Sequence, residues 1–85
     1  MAVRLRTNVS LTEIEFGVVL LDEKTGEYWD LNPSGALVLR TLLNGGAPGH
    51  AAQQLTQMYD VDADSARHDV DDLIGGLRSA GLIEQ

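Results

Sequence analysis

The first third of the chain alternates between apolar and polar residues, which is the pattern of β-strands. Val3, Leu5, Thr7, Val9 and Leu11 alternate with the more polar residues Arg4, Arg6, Asn8 and Ser10. A period of two residues predicts a strand with one buried face. The alternation changes phase near Glu15–Gly17, which indicates a turn, and the continuous apolar run Val18–Leu21 is typical of a central strand buried on both faces.

A third strand is predicted after a short polar loop. The loop ends at Gly26, which supplies the positive φ that such hairpin loops usually need. The next segment, Glu27–Leu31, contains Tyr28 and the only tryptophan, Trp29, and aromatic residues suit a half-buried strand. Three consecutive strands joined by short connections predict an antiparallel meander.

The apolar pattern after the third strand has the period of helices. Helix one is predicted over Pro33–Leu43 with Asn32 as its N-cap, and it is apolar nearly all round, so we expect it at the centre of the core. Helix two is predicted from near Pro48 to near Tyr59, and helix three begins after the capping residue Asp62. Segregated strands and helices predict an α+β fold like a winged helix-turn-helix, with a three-stranded antiparallel sheet followed by three helices in one domain over residues 1–85.

Helix three carries two stripes of residues at helical spacing. At 100° per residue, an apolar stripe is assigned to the core and consists of Ala66, Val70, Leu73 and Leu77. A second stripe, one step round the helix, mixes an apolar residue with charges and consists of Arg67, Asp71, Ile74 and Arg78. This second stripe is either a solvated flank with a weak ion pair or one wall of a groove.

The composition excludes several classes of protein. The chain has no cysteine, so disulfides, zinc–thiolate sites and cysteine nucleophiles are excluded. A net charge of −7 opposes binding to the phosphate backbone of nucleic acids. No apolar run approaches the roughly 18 residues of a membrane span, and the N-terminus lacks the apolar block of a secretory signal. We therefore expect a cytoplasmic protein with no nucleic-acid or membrane partner.

The sequence contains no recognisable catalytic or metal-binding constellation. No serine stands in a nucleophile elbow, and the two histidines are isolated. Asp60, Asp62 and Asp64 match the first positions of a calcium loop, but Ser65 stands where that loop requires glycine. We expect no catalytic residue, no metal, no cofactor and no enzyme activity.

The remaining candidate for function is the surface around the third strand. If Val18–Leu21 is the central strand, Glu27–Leu31 is an exposed edge, and exposed edges invite pairing with another strand. An edge strand beside a helix suits β-augmentation, in which a peptide pairs through its main chain and its side chains enter the groove. The alternative is that Trp29 and Leu31, which share one face, belong to the core.

Several short motifs then follow one another in a characteristic order. They are Leu20-Leu21-Asp22, Thr25–Asn32 with Gly35, Tyr59–Asp62, Asp69-Val70 with Leu73, Ile74 and Leu77, and Gly81-Leu82. In this order and spacing the chain resembles the PqqD-like family, the RiPP recognition elements that bind leader peptides of ribosomally made natural products. Its length and the pattern Leu-Leu-Asp…Gly-x-Tyr-Trp-x-Leu-Asn are most similar to the stand-alone leader-binding proteins of actinobacterial lasso-peptide biosynthesis.

The resemblance implies a binding mode, two partners and a set of site residues. The leader peptide, typically with the motif Tyr-x-x-Pro-x-Leu, lies antiparallel along the third strand and against helix three. The partners are the precursor peptide and a separate leader peptidase of the transglutaminase-like cysteine protease type. Carried over by position, the peptide-binding residues are Glu27, Tyr28, Trp29, Asp30, Leu31, Arg67, Val70, Asp71, Ile74, Leu77 and Arg78.

The implied roles differ among these residues. Backbone groups of the third strand pair with the leader, Trp29 and Ile74 form apolar pockets, and Asp71 and Arg78 set the register through charged hydrogen bonds. The function predicted from the sequence is a non-enzymatic adaptor that presents the leader to its peptidase. The alternatives are a recognition subunit for another RiPP-modifying enzyme, such as a radical SAM enzyme, a DNA-binding winged-helix protein, or a carrier domain.

Overall fold

The computed structural model describes residues 3–84, which form three helices and five strands. Met1, Ala2 and Gln85, which the predicted domain includes, lie outside this description. In chain order the elements are β1 Arg4–Leu5, β2 Val9–Ile14, β3 Gly17–Asp22, β4 Tyr28–Leu31, α1 Pro33–Leu43, α2 Pro48–Met58, α3 Ala63–Ser79 and β5 Ile83–Glu84.

The main sheet is the predicted antiparallel meander, in the order β2-β3-β4. Its central strand is β3, as predicted, but the predicted burial of both faces is wrong: Val18 and Leu20 are completely buried, whereas Leu21 on the other face is 37% exposed. The third strand of the sequence analysis is β4, at one edge of this sheet. The predicted α+β class is therefore confirmed.

The N-terminal segment differs from the single long strand that its alternation predicts. A turn at Thr7–Asn8 separates β1 from β2, and in this turn the Val9 N–H donates to the Arg6 carbonyl at 3.0 Å. Instead of joining the meander, β1 pairs with β5 at the other end of the described chain, with Arg4 opposite Glu84. A separate two-stranded sheet thus joins the two ends of the described chain.

The junction between β4 and α1 is a close strand-to-helix connection. The Asn32 side chain accepts a hydrogen bond from the Gly35 N–H at 2.9 Å, which confirms the predicted N-cap. Gly17, at the start of β3, has φ of 139°, and a Cβ there would lie 1.9 Å from the Leu31 carbonyl oxygen. Only glycine lets the hairpin approach the end of β4 so closely.

The core lies between the inner face of the sheet and the three helices. Its fully buried side chains come from all these layers and include Leu20, Leu39, Leu42, Val70, Leu82 and Ile83. The apolar pair Leu82-Ile83 near the end of the sequence is expected to return to the core, and both residues are buried. Apolar spacing along α2 predicts a buried stripe that extends to Met58 and Tyr59. This stripe is wrong at its end, because Met58 is 65% exposed and Tyr59 is 39% exposed.

One further prediction, the phase of α3, is also wrong. The sequence pattern assigns Leu73 to the core stripe and Ile74 to the flanking stripe, but Ile74 is only 6% exposed and Leu73 is half-buried. The physical reason is tertiary packing: α3 is oriented so that Ile74 joins the core cluster, while Leu73, about 100° round the helix, lines an open cavity.

Candidate functional site

The backbone of β4 has hydrogen-bonding groups that point away from the sheet. Tyr28 lies opposite Leu21 and Trp29 lies opposite Leu20. At the loop end of the two strands, the N–H of Asp22, the last residue of β3, donates to the Glu27 carbonyl at 2.8 Å. In an antiparallel ladder, hydrogen-bonded and non-hydrogen-bonded pairs alternate.

This alternation gives the direction of each backbone group in β4. Because Asp22 and Glu27 form a hydrogen-bonded pair, the next such pairs toward the end of the strand involve Trp29 and Leu31. The N–H and C=O groups of Tyr28 and Asp30 therefore point outward, at the edge of the sheet. Within residues 3–84, no other strand pairs with this edge.

The side chains of β4 divide between two faces. Trp29 and Leu31 are half-buried and pack against the core from the inner face. Tyr28, 65% exposed, and Asp30 stand on the outer face. The core interpretation of Trp29 is therefore correct, and its role in peptide binding stays a prediction.

A cavity of about 350 Å³ opens just beyond the C-terminal end of β4. It lies between the first turns of α1, the end of α2 and the middle of α3. Its lining residues are Asn32, Ser34, Gly35, Val38, Leu55, Tyr59, Val61, Asp69 and Leu73. Apolar side chains dominate the walls, and Asp69 brings a carboxylate to the α3 side, so the cavity suits an apolar or aromatic group with a polar tip.

The connection between α2 and α3 is held by a capping interaction beside this cavity. The Asp62 carboxylate accepts hydrogen bonds from the Ser65 N–H at 2.8 Å and from the Ser65 hydroxyl at 3.2 Å. These two bonds, the backbone one first, hold the pKa of Asp62 below its ordinary value. The cap fixes the start of α3, and with it the position of the cavity wall.

The predicted α3 residues fall into two groups. Val70, Ile74 and Leu77 are buried in the core. The other three, Arg67, Asp71 and Arg78, are exposed.

The exposed group lies on the flank of α3 away from the cavity. Arg67 lines a separate cleft between α2 and α3, and helical spacing puts Asp71 and Arg78 on the same side as Arg67. The α3 residues that reach the cavity beside β4 are Asp69 and Leu73.

Sequence reasoning missed Asp69 and Leu73 as site residues. Their spacing of four residues places them on one side of the helix, and this pair was the available signal. This spacing was not decisive, because Leu73 and Ile74 lie on either side of the line of core residues Ala66, Val70 and Leu77, at similar angles from it. The tertiary packing of α3 places Ile74 in the core and leaves Leu73 at the cavity.

Metal-ligating side chains are scattered over the part of the chain that the structure describes. Over residues 3–84, no group of three or more of them comes together. No helix in that part of the chain is long and apolar enough to cross a membrane.

Two solved structures are similar to the chain over nearly their whole length. One, described as "Lasso peptide synthetase B1 complexed with the leader peptide", superposes with a TM-score of 0.93 at 38% identity and covers 100% of both chains. The other, "TbiB1 in Complex with the TbiA(beta) Leader Peptide", has a TM-score of 0.85 at 27% identity over 95% of this chain and 94% of that chain. Comparison with curated protein sequences gives no significant match.

The family profile described as coenzyme PQQ synthesis protein D (PqqD) matches residues 17–83. The match begins at the first residue of β3 and ends in β5, so it contains the β4 edge, all three helices and the cavity between them. With both solved structures sharing the fold over nearly the whole chain, the protein belongs to the PqqD family.

Proposed function

We propose that this protein is a non-catalytic adaptor that binds the leader segment of a lasso-type precursor and presents it to a separate leader peptidase. The observation that carries the proposal is the open edge of β4 beside the 350 Å³ cavity. Both solved structures similar to the chain are of proteins in complex with leader peptides. The proposed site of action is the cytoplasm, where a precursor peptide is made.

In the proposed complex, the leader adds to the sheet as an antiparallel strand next to β4. The outward N–H and C=O groups of Tyr28 and Asp30 exchange hydrogen bonds with the leader backbone. Since the strands are antiparallel, the N-terminal part of the leader runs past Leu31 toward the cavity. An anchoring side chain that precedes the paired segment enters the cavity between Tyr59 and Leu73.

The other predicted residues have supporting or peripheral roles in this proposal. Glu27 precedes the paired segment, and Trp29 and Leu31 contact the leader side chains that point inward. Val70, Ile74 and Leu77 hold α3 in position from the core. Arg67, Asp71 and Arg78 contact only a leader that continues across the exposed flank of α3.

The single tryptophan gives a direct test of the proposed site. A synthetic leader with the motif Tyr-x-x-Pro-x-Leu, itself free of tryptophan, is titrated into the protein while Trp29 emission is followed. We expect a saturable blue shift that is lost when the peptide's Tyr or Leu is replaced by Ala. A flat titration together with a flat calorimetric titration contradicts the proposal.

Strand addition is tested separately by Asp30→Pro. Proline removes the outward N–H of residue 30 but no hydrogen bond to β3, and proline is tolerated on edge strands for this reason. Asp30→Ala is the matched control, because it removes the same side chain and keeps the donor. We expect Asp30→Pro to weaken leader binding about tenfold, the effect of about 1.4 kcal/mol, relative to Asp30→Ala. Equal affinities in two folded variants rule out main-chain pairing at this position.

A second candidate is a recognition subunit for another modifying enzyme, such as a radical SAM enzyme. The observation in its favour is that the family profile carries the name of coenzyme PQQ synthesis. The same titration with leaders from both kinds of pathway separates the candidates, because only the lasso interpretation requires preference for the Tyr-x-x-Pro-x-Leu motif.

A further inference from the structure

An apolar surface at the tip of the β2–β3 hairpin shares only Tyr59 with the proposed leader site. Phe16 is 70% exposed, Met58 is 65% exposed and Ile14 is 46% exposed. Ile14 and Met58 line a cavity of about 250 Å³ together with Leu37 and Tyr59, and Phe16 lies in the turn that borders it. We refer to these five residues as the hairpin-tip patch.

Local structure gives no reason for apolar residues at this tip. Glu15 and Phe16 form the turn between the two strands, and turns of this kind favour Gly, Asn, Asp and Ser. Phe16 does not contribute to the core, to which the two flanking strands supply Leu11 and Leu20 instead. A large exposed aromatic residue in the turn that borders a cavity lined by exposed Met and Ile side chains is characteristic of an interaction surface.

The patch and the leader cavity lie on two sides of α1. Leu37 and Arg40 face the patch, whereas Ser34 and Val38 face the leader cavity. Tyr59 lines both cavities. A partner on the patch therefore touches the boundary of the leader site without covering the β4 edge.

The size of the patch limits what can bind there. If each residue has roughly 200 Å² of surface, the exposed fractions of Phe16, Met58, Ile14 and Tyr59 correspond to on the order of 400 Å² of mostly apolar area. That is about half of the roughly 800 Å² per partner that a stable complex buries. The patch thus suits a weak, transient contact.

Charge argues against a second copy of this chain as the occupant. Glu15 lies at the tip, and Glu13 forms an ion pair with Arg40 at the rim. A two-fold dimer through the patch would bring these carboxylates toward their counterparts, and each copy carries a net charge of −7. An apolar face with a basic rim complements the patch.

We propose that the hairpin-tip patch is the docking site for the leader peptidase, an inference that rests on the proposed adaptor function. A weak contact is sufficient there, because the captured precursor provides a second link to the peptidase and raises its effective concentration. The peptidase can then leave once the leader has been cut.

The experiment compares Phe16→Ser with Leu21→Ser. Leu21 is also exposed, at 37%, but lies on the outer face of the sheet away from the patch. For each variant, leader affinity is measured by the Trp29 titration. The stimulation of precursor cleavage by the purified peptidase is then measured at saturating adaptor, and binding of peptidase without precursor is measured by sedimentation.

We expect Phe16→Ser to keep leader affinity within about twofold while its stimulation of cleavage and its direct peptidase binding fall about tenfold. Leu21→Ser should keep all three. Undiminished peptidase binding by Phe16→Ser overturns the docking site. If Phe16→Ser loses leader affinity to the same extent, the patch belongs to the leader site. If the wild type forms concentration-dependent dimers that Phe16→Ser does not form, the patch binds a second copy of the chain. A flat leader titration of the wild type refutes the adaptor function but not the docking site, because peptidase binding is measured by sedimentation without leader.

Discussion

At the scale of single residues, two glycines with positive φ are constrained by different surroundings. Gly17 has φ of 139° and faces the Leu31 carbonyl oxygen, whereas Gly26 has φ of 82° and no atom within 4 Å of the position that a Cβ would take. Alanine at Gly26 costs only the backbone strain, about 1–2 kcal/mol. Alanine at Gly17 adds a clash with backbone that cannot rotate away, so we expect it to lower the free energy of unfolding by more than about 3 kcal/mol.

Urea denaturation of Gly17→Ala and Gly26→Ala measures this difference. Leu31 is the last residue of β4, so any relaxation around Gly17→Ala also moves β4, the strand with which we propose the leader pairs. We therefore expect weaker leader binding in Gly17→Ala, provided it folds, and unchanged leader binding in Gly26→Ala. Equal destabilisation by the two substitutions contradicts the close approach of the hairpin to β4.

Asp22, at the end of β3, links stability to pH. Its carboxylate accepts a hydrogen bond from the Asn8 side chain at 2.9 Å and from the Lys24 N–H at 2.9 Å. These bonds, the one from Asn8 first, hold the pKa of Asp22 below its ordinary value of 3.8. A lowered pKa means that the stabilisation is present above about 3.8 and is lost as the pH falls through the lower, folded-state value.

We therefore expect wild type to be more stable than Asp22→Asn at pH 6, with the difference shrinking as the pH falls below about 4. Thermal unfolding of both proteins between pH 2.5 and pH 7 tests this. Glu13 and Asp62, whose pKa values are also lowered, contribute equally to the pH dependence of both proteins. Their contributions therefore cancel in the difference in stability between wild type and Asp22→Asn. A difference that stays constant over this range contradicts the role of Asp22.

At the scale of elements, α3 shows where sequence periodicity stops being sufficient. The caps at Asn32 and Asp62 could be predicted because capping depends on residues within one turn. The choice between Leu73 and Ile74 could not, since it depends on how α3 is oriented against the rest of the core. The β1–β5 pairing was equally inaccessible, because it joins Arg4 to Glu84 across the length of the chain with two-residue strands.

The corrected phase of α3 predicts that substitution of Ile74 mainly lowers stability, whereas substitution of Leu73 mainly weakens leader binding. Ile74→Ala removes a side chain that is 6% exposed, so we expect it to lower the free energy of unfolding by about 2–5 kcal/mol. Leu73→Ala removes a half-buried wall of the cavity, so we expect less destabilisation and weaker leader binding. Urea denaturation and the Trp29 titration measure the two effects. If Leu73→Ala destabilises the protein more than Ile74→Ala, the assignment of Ile74 to the core is contradicted.

At the scale of the whole molecule, the open sheet edge that we propose binds the leader must not bind copies of itself. The sheet ends at β4, and the outer face beside this edge carries the exposed side chains of Leu21 and Tyr28. Such an edge invites self-pairing unless a charge interrupts it. Asp30 supplies that charge in the middle of β4, and the net charge of −7 adds long-range repulsion between copies.

Replacing Asp30 with Val should therefore cause self-association through β4. A cross-strand pair contributes roughly 0.2–1 kcal/mol, and a two-fold dimer contains each such pair twice, so dimerisation should tighten about tenfold. Sedimentation velocity over a range of concentrations measures it, and saturating leader should reverse it, because leader and second copy compete for the same edge. Asp71→Val makes the same change in net charge on the exposed flank of α3 and should stay monomeric. If both variants associate equally, net charge rather than the charge on β4 keeps the copies apart; if neither does, Asp30 is free to act in leader recognition alone.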